Sequence, residues 1–146
     1  MEKQELKTMG HAAFRITYHV IFTIKYRKKC ITSPMLKRLE DVFNEVLRKW
    51  RCRLIEFGGE ADHVHLLIDA HPALDLSRMI GNLKAVSSRR MRQEYPDHLG
   101  KFFWKSYFWN KAYAVISVGG RAPLEILIQY IQDQEEPPES QTAPLD

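Results

Sequence analysis

Two histidines separated by one valine stand in the stretch EADHVHLLIDA, residues 60–70. On a strand, residues two apart point the same way, so His63 and His65 would project side by side while Val64 points into the core. Two neutral imidazoles held on one strand can bind a divalent metal ion. Two surface or hydrogen-bonded histidines would show the same pattern, so the pair alone leaves both interpretations open.

The neighbouring residues narrow the chemistry that such a pair could support. A histidine-triad nucleotide hydrolase needs a third histidine two positions further on, where this chain has Leu67. A structural zinc site needs four ligands, and although His71 is near, Cys30 and Cys52 lie outside the segment. A catalytic metal with open positions fits better, provided that another segment supplies a third ligand and a nucleophile.

The stretch QYIQDQ, near the C-terminus, offers both groups. Tyr130 and Gln134 are four residues apart, so on a helix they lie on one face and aim a phenol and an amide oxygen in the same direction. The ordinary alternative is a core aromatic followed by a solvated residue at the helix end. The competing tyrosines, Tyr95, Tyr107 and Tyr113, have no polar partner four residues on that completes the metal site.

The composition indicates one compact domain with a basic body. The chain has 146 residues, of which 45% are hydrophobic, and its net charge is +4. The last twelve residues carry four acids, three prolines and no base, so the remainder has 22 bases against 14 acids and a net charge of +8. We therefore expect a single domain over residues 1–134, a disordered acidic tail over 135–146, and a polyanion such as nucleic acid as a candidate partner.

The chain shows no sign of secretion or of a membrane span. The start, MEKQELKTMG, is charged and polar, and no apolar run approaches the roughly 20 residues that a span requires. The two cysteines have neither disulfide density nor the spacing of a metal motif. A reduced, cytoplasmic setting in contact with the nucleoid is therefore expected.

Hydrophobic periodicity predicts the element order strand, helix, strand, strand, helix, strand, helix. The first strand alternates an apolar face with a largely polar face on which only Ile21 is apolar, and Ser33 is the expected N-cap of the first helix. The predicted strands cover residues 14–27, 52–59, 63–70 and 112–118, and the predicted helices cover 33–50, 75–95 and 121–134. This order predicts an α+β, ferredoxin-like (RRM-like) antiparallel sheet with packed helices plus a C-terminal helix.

Four stretches in this order, DHVHLLI, LKAVSSRR, FWNKAYAVISVGG and LIQYIQDQ, resemble the small single-tyrosine HUH transposases of bacterial and archaeal insertion sequences. HUH denotes histidine, a bulky hydrophobic residue and histidine, here residues 63–65. The resemblance runs from residue 14 to residue 134. It implies an enzyme that cuts and rejoins single-stranded DNA at hairpins marking the ends of its element.

The resemblance also implies roles for individual residues. Tyr130 would be the nucleophile, and His63, His65 and Gln134 would hold one Mg²⁺ or Mn²⁺ per active site. DNA would become joined through its 5′ phosphate to Tyr130, a 3′ hydroxyl would be released, and religation would need no nucleotide triphosphate. Such enzymes act as homodimers, in which the histidines of one subunit can be paired with the tyrosine helix of the other.

DNA contacts and alternative functions follow less directly from the sequence. The side chains favoured for phosphates and bases are Lys25, Arg27, Lys84, Ser88, Arg89, Trp104 and Phe108. Gly119 and Gly120 precede the tyrosine helix and could form its hinge. Two alternatives stay open: a domesticated cousin that processes repetitive genomic hairpins, and a non-catalytic RNA- or DNA-binding module, although the aromatic RNP motif of such modules is absent from the sequence.

Overall fold

The computed structural model describes residues 7–9, 12–14, 16–117 and 124–135, with side chains described for 16–117 and 128–135. Two short strands, β1 (Lys7–Met9) and β2 (Ala12–Phe14), pair in an antiparallel hairpin. The main sheet contains β3 (Ile16–Thr23), β4 (Arg53–Glu60), β5 (His63–Ala70) and β6 (Ala114–Ser117). The helices are α1 (Ser33–Lys49), α2 (Leu76–Glu94), α3 (Pro96–Leu99) and α4 (Leu124–Asp133).

The main sheet is antiparallel throughout, in the order β4-β5-β3-β6. The two central strands are therefore the first and third strands of the βαββαβ unit, as in a ferredoxin-like sandwich. The predicted fold class is confirmed. In the part of the chain that the structure describes, no helix is long and apolar enough to cross a membrane.

One face of the sheet carries the main core, together with α1 and α2. Val64, Leu66 and Ile68 of β5 are fully buried there, as their alternation with the histidines predicts. Helix α1 contributes a buried stripe at helical spacing, and α2 packs beside it. Since this face is apolar and covered, the residues at the intervening positions of β5 must lie on the other face.

That second face is covered in part by α4. Ile128 and Ile131 of α4 form a small buried cluster with Ile21 of β3 and Ala114 of β6. The prediction of a largely polar face on β3 is therefore incomplete, because Ile21 is a docking position for the C-terminal helix and is fully buried. Helix α4 thus lies on the same side of the sheet as the histidine pair.

The first predicted strand is too long at its end. Strand β3 stops at Thr23, and Lys25–Arg27 forms a 3₁₀ turn in which Tyr26 and Arg27 have φ values of 57° and 50°. Non-glycine residues rarely adopt this left-handed region, and the alternation of apolar and polar side chains does not predict it. Hydrogen bonds hold the turn: the Lys25 N–H donates to the Phe108 carbonyl (2.8 Å) and the Arg27 N–H to that of Ile24 (2.8 Å).

Helix boundaries differ from the predictions by small amounts. The N-cap of α1 is Thr32 rather than Ser33, and its hydroxyl accepts a hydrogen bond from the Met35 N–H (3.3 Å). Pro96 ends α2 as predicted but also begins the short α3. The predicted hinge at 119–120 and the tail beyond residue 135 lie outside the described residues.

Candidate active site

The histidine pair lies at the start of β5, between β3 and β4. His63 is paired across the sheet with Thr23 and Glu60, and His65 with Ile21 and Gly58. Cross-strand partners share a face, so both imidazoles lie on the side of the sheet that α4 covers. The structure therefore confirms that the two rings project from one face, as their spacing predicts.

His63 belongs to a chain of hydrogen bonds that the sequence analysis missed. Its Nδ1 lies 2.9 Å from Asp62 Oδ1, and the Arg27 guanidinium donates to Asp62 Oδ2 through Nε (3.0 Å) and Nη2 (2.8 Å). Burial alone would raise the pKa of the Asp62 carboxyl, but the hydrogen bonds from His63 and Arg27 hold that pKa below its usual value. An ionised Asp62 requires the His63 proton on Nδ1, which leaves Nε2 to bind a metal.

Asp62→Asn should weaken Mn²⁺ binding about 10-fold or more, because loss of a partner that orients a metal-ligating histidine commonly has this effect. The measurement is an electron paramagnetic resonance titration with Mn²⁺ in the presence of single-stranded DNA. Asp69→Asn is the matched control, since Asp69 is also a buried acid, lies on β5 with His63, and pairs with Arg53 at 3.9 Å. Equal losses in both variants would contradict an orienting role for Asp62.

The environment of His65 keeps its ring neutral. Burial, followed by the electrostatic effect of the neighbouring His63, lowers the pKa of His65 below its usual value, although Glu56 acts in the opposite direction. Burial and His65 likewise lower the pKa of His19, whose ring meets that of His65 edge-on with centroids 5.6 Å apart. A metal ligand must be neutral, so His65 is ready to bind a metal at neutral pH.

The site also contains a buried hydroxyl without a partner. Thr23 is fully buried, and its Oγ1 makes no hydrogen bond to any residue that the structure describes. Thr23 faces His63 across the strand pair. A buried hydroxyl of this kind suits a bound water, a phosphate oxygen or the hydration shell of a metal ion.

Two imidazoles and this hydroxyl fit a divalent ion that keeps open positions. Within residues 16–117 and 128–135, no three His, Cys, Asp or Glu side chains lie close enough to hold a metal. The remaining ligands would have to be an amide, water or substrate oxygens. Gln134 as a third protein ligand stays a prediction.

Thr23→Val should raise the free energy of unfolding by about 1–2 kcal/mol in protein free of metal and DNA, because it removes an unsatisfied buried hydroxyl. Denaturant unfolding monitored by circular dichroism measures the change. Thr17→Val is the control on the same strand and face, since Thr17 has an interaction partner in the structure. A loss of stability in Thr23→Val as large as that in the control would show that the hydroxyl is already satisfied.

Helix α4 presents Tyr130 to solvent. Its buried positions are Ile128 and Ile131, whereas the Tyr130 side chain is 55% exposed, so the alternative of a core aromatic is wrong. Gln134 lies just beyond the last helical residue and is also exposed. The structure therefore places Tyr130 on a helix that covers the histidine face of the sheet, and Gln134 in the turn that follows this helix.

The C-terminal end of α4 is held by one carboxylate. Glu135 accepts a hydrogen bond from the Tyr26 N–H (2.6 Å), in the turn that also supplies Arg27 to Asp62. Burial raises the pKa of the Glu135 carboxyl above its usual value. Residue 135, which the sequence assigns to the tail, is thus part of the folded domain.

The other tyrosines are packing residues. Tyr113 meets Phe22 edge-on with ring centroids 6.5 Å apart, and Tyr107 meets Tyr26 in the same way at 6.0 Å. Tyr95 packs against the main core. Tyr130 is the only tyrosine among the large hydrophobic side chains that are exposed in the described part of the chain.

Comparison with known proteins agrees with this geometry. The family model "Transposase IS200 like" matches residues 12–134. The chain belongs to this family. Membership makes it a transposase, an enzyme class that cuts and rejoins DNA. The resemblance drawn from its sequence motifs is confirmed.

Curated relatives and a solved structure support the IS200-like assignment. The chain is 28% identical to the ISDra2 transposase TnpA of Deinococcus radiodurans over 132 residues, which cover 90% of this chain and 93% of the relative. It is 26% identical to the transposase for insertion sequence element IS200 of Salmonella typhimurium over 113 residues, 77% of this chain and 74% of the relative. A crystal structure assigned as a transposase from Deinococcus radiodurans R1 matches with a TM-score of 0.78 and 27% identity, covering 90% of this chain and 99% of that one.

A second solved structure shares the fold at much lower identity. The REP-associated tyrosine transposase bound to a REP hairpin has a TM-score of 0.55 and 9% identity, with 86% of this chain and 68% of that chain covered. At this level of identity the likeness shows the fold alone.

Two of the side chains predicted to contact DNA, Lys84 and Phe108, make their contacts within the folded transposase. Lys84 donates to the carbonyls of Asn110 (2.7 Å) and Lys111 (2.8 Å), and burial lowers its pKa to about 8. The ammonium group of Lys84 therefore connects α2 to the segment before β6. Phe108 is 1% exposed and cannot stack on a base as predicted.

The remaining candidates keep access to solvent to different degrees. Arg89 is exposed on α2, and Ser88 accepts a hydrogen bond from Arg92 Nε (3.3 Å). Lys25 lies over the Tyr107 ring, with its Nζ 5.2 Å from the centroid. Arg27 is bound to Asp62, so its first role is to support His63.

The sequence contains weak indications of the site residues that were not predicted from it. Asp62 directly precedes the first histidine, and an acid beside a metal-ligating histidine is a common orienting partner. Gly58 and Gly59 interrupt a strand, which often marks a close approach of another group. A Cβ atom built on Gly58 would lie 2.7 Å from His65 Nε2, so the imidazole occupies the space that a side chain would fill.

Proposed function

We propose that this transposase cuts and rejoins single-stranded DNA at hairpins marking the ends of its element, through a 5′-phosphotyrosine intermediate on Tyr130. The observation that carries the proposal is an exposed tyrosine on a helix packed over the histidine face of the sheet. His63, His65 and Gln134 would hold one Mg²⁺ or Mn²⁺. When bound, the ion would neutralise charge on the scissile phosphate and align it for attack.

The residues of the chain account for the chemical step. The phenol oxygen of Tyr130 attacks phosphorus, a bond between the two forms, and the bond from phosphorus to the 3′ oxygen breaks. The phenol proton ends on that 3′ oxygen, so the products are a phosphotyrosine and a 3′ hydroxyl. One phosphodiester bond is exchanged for another. A 3′ hydroxyl can therefore attack the phosphotyrosine and rejoin the DNA without a nucleotide triphosphate.

The electrostatics of the site suit a polyanionic substrate. The Asp62 carboxylate beside His63 is neutralised by Arg27. A phenol has a pKa of about 10 and is a weak nucleophile at neutral pH, so attack depends on charge neutralisation at the phosphate. Exposure of Tyr130 gives its oxygen access to a strand laid across the sheet face.

The proposal includes a homodimer as the active species. The family resemblance carries this part, and either arrangement of the tyrosine helix, within one subunit or between two, is compatible with it. Sedimentation velocity at micromolar concentration, with and without hairpin DNA, tests it. A monomer under both conditions would remove this part of the proposal.

The experiment that tests the chemistry uses one oligonucleotide labelled at either end. Single-stranded DNA carrying candidate element-end hairpins is incubated with Mg²⁺, Mn²⁺ or a chelator, and products are separated under denaturing conditions. The 3′-labelled strand should give a labelled protein adduct, and the 5′-labelled strand a shortened free fragment. An adduct on the 5′-labelled strand would mean the opposite polarity of cleavage, and an equal yield with the chelator would remove the metal from the proposal.

A further inference from the structure

A basic groove of about 390 Å³ lies away from the histidine face, between the end of α2 and the segment that follows α3. Arg89 and Arg92 line one side, and Trp104, Lys105 and Tyr107 line the other. Among the side chains that line the groove, three are cationic and none is acidic. The electrostatic potential of the groove therefore favours an anionic ligand.

Trp104 distinguishes this groove from a merely basic patch. Its side chain is 47% exposed, whereas Phe103 beside it is 7% exposed and Trp109 is 8% exposed. The aromatic segment thus turns two of these rings into the core and leaves one indole in solvent. An exposed indole is a large apolar surface that gains stability when a planar group stacks on it.

Cationic side chains lie on both sides of the groove, within the same lining as the Trp104 indole. Lys105 Nζ lies 5.2 Å from the Trp104 ring centroid. On the opposite side, Arg92 is steadied by its hydrogen bond to Ser88 Oγ (3.3 Å), and Arg89 is exposed. A planar aromatic platform flanked by cations is the arrangement that proteins use for a base and its phosphates in single strands.

The groove is connected to the candidate active site through the 3₁₀ turn. Tyr107, which lines the groove, lies under the ammonium group of Lys25. Two residues further along the turn, Arg27 binds Asp62, which in turn binds His63. A strand with a phosphate near His63 could therefore continue past the Lys25 ammonium to reach Trp104.

We propose that this groove binds one unpaired nucleotide of the DNA substrate, with its base stacked on Trp104 and its phosphates held by Arg89, Arg92 and Lys105. The identity of the ligand rests on the proposed function, since the proposed substrate is single-stranded DNA. The groove would anchor a nucleotide beyond the one at which the chain is cut. It adds affinity and register without taking part in the chemical step.

The test compares two single strands that differ only in their bases. One is an oligothymidylate of about 12 nucleotides, and the other is an abasic deoxyribose-phosphate strand of the same length. Binding of the full-length protein is measured by fluorescence anisotropy without divalent metal. Trp104→Ala should weaken binding of oligothymidylate about 5- to 150-fold and leave binding of the abasic strand unchanged, because only stacking is lost.

Two further variants separate stacking from charge. Trp104→Phe should retain most of the preference for the strand with bases, since a phenyl ring still offers a face. Arg89→Gln should weaken binding of both strands by the same factor and reduce the salt dependence of binding. An equal loss on both strands in Trp104→Ala, or no loss on either, overturns the proposal.

The outcome is distinguishable from that of the proposed function. Binding is measured without divalent metal and adduct formation with it, so the two results are obtained separately. A Trp104-dependent preference for bases in a protein that forms no covalent adduct would support the groove and contradict the proposed chemistry. Adduct formation with no role for Trp104 in binding would do the reverse.

Discussion

Tyr130→Phe should abolish the covalent protein–DNA adduct while leaving the fold intact. The substitution removes one oxygen from a side chain that is 55% exposed, so it creates no cavity and breaks no core contact. Loss of a nucleophile that nothing replaces should reduce adduct formation by at least about three orders of magnitude. Denaturing gel electrophoresis with 3′-labelled hairpin DNA and Mn²⁺ measures it, and circular dichroism checks the fold.

Tyr113→Phe is the matched control for this result. Tyr113 directly precedes β6, the strand whose Ala114 is buried against α4, but the Tyr113 ring packs against Phe22. It should form the adduct at close to the wild-type rate. An adduct that survives in Tyr130→Phe and disappears in Tyr113→Phe would move the nucleophile to the segment before β6.

Gly58→Ala should weaken Mn²⁺ binding by at least about 10-fold, with little loss of stability. The new Cβ would lie 2.7 Å from His65 Nε2 and 3.0 Å from Cε1, closer than such atoms can approach. These atoms are at the far end of the His65 side chain, which can rotate. The His65 ring should therefore move away from the new Cβ while the backbone stays in place. The folded protein should survive, but one of the two proposed imidazole ligands would be displaced. Paramagnetic resonance titration with Mn²⁺ and denaturant unfolding together measure both effects.

Two other glycines provide contrasting controls for Gly58. A Cβ on Gly59 would lie 2.5 Å from the His63 carbonyl oxygen, so Gly59→Ala should destabilise the sheet itself. A Cβ on Gly81, in α2, would meet nothing within 4 Å, so Gly81→Ala should be neutral or slightly stabilising. If Gly58→Ala behaved like Gly81→Ala in the metal titration, the His65 ring would not depend on the space above Gly58.

The sequence is informative where side-chain periodicity and local hydrogen bonding decide the structure. The burial of Val64, Leu66 and Ile68 follows from alternation on a strand, and it places His63 and His65 on the opposite face without further information. The element order then leads to the ferredoxin-like sheet. The sequence stretches that resemble the transposase family include the histidine strand and the tyrosine helix of this fold.

The sequence is silent where contacts between distant residues decide the structure. The left-handed backbone at Tyr26 and Arg27 is held by Asp62, 35 positions from Arg27, and by Glu135, 109 positions from Tyr26. Lys84 looks like a solvated charge on a helix until two carbonyls from residues 110–111 reach its ammonium group. Periodicity cannot indicate partners of this kind, since it describes only one element at a time.

The attachment of α4 has a consequence for how the nucleophile can be used. Among the described side chains of this helix, Ile128 and Ile131 are buried in the cluster, and burying two isoleucines contributes roughly 3–6 kcal/mol. The hydrogen bond from the Tyr26 N–H to Glu135 adds one contact at the end of the helix. The main core, by contrast, joins both long helices to residues of all four strands of the main sheet. The element that carries Tyr130 can therefore detach at a free-energy cost below that of unfolding the domain. Under the proposed chemistry, a DNA end joined to Tyr130 would leave with the helix, and a cut strand would be carried away from one site while the sheet stays folded.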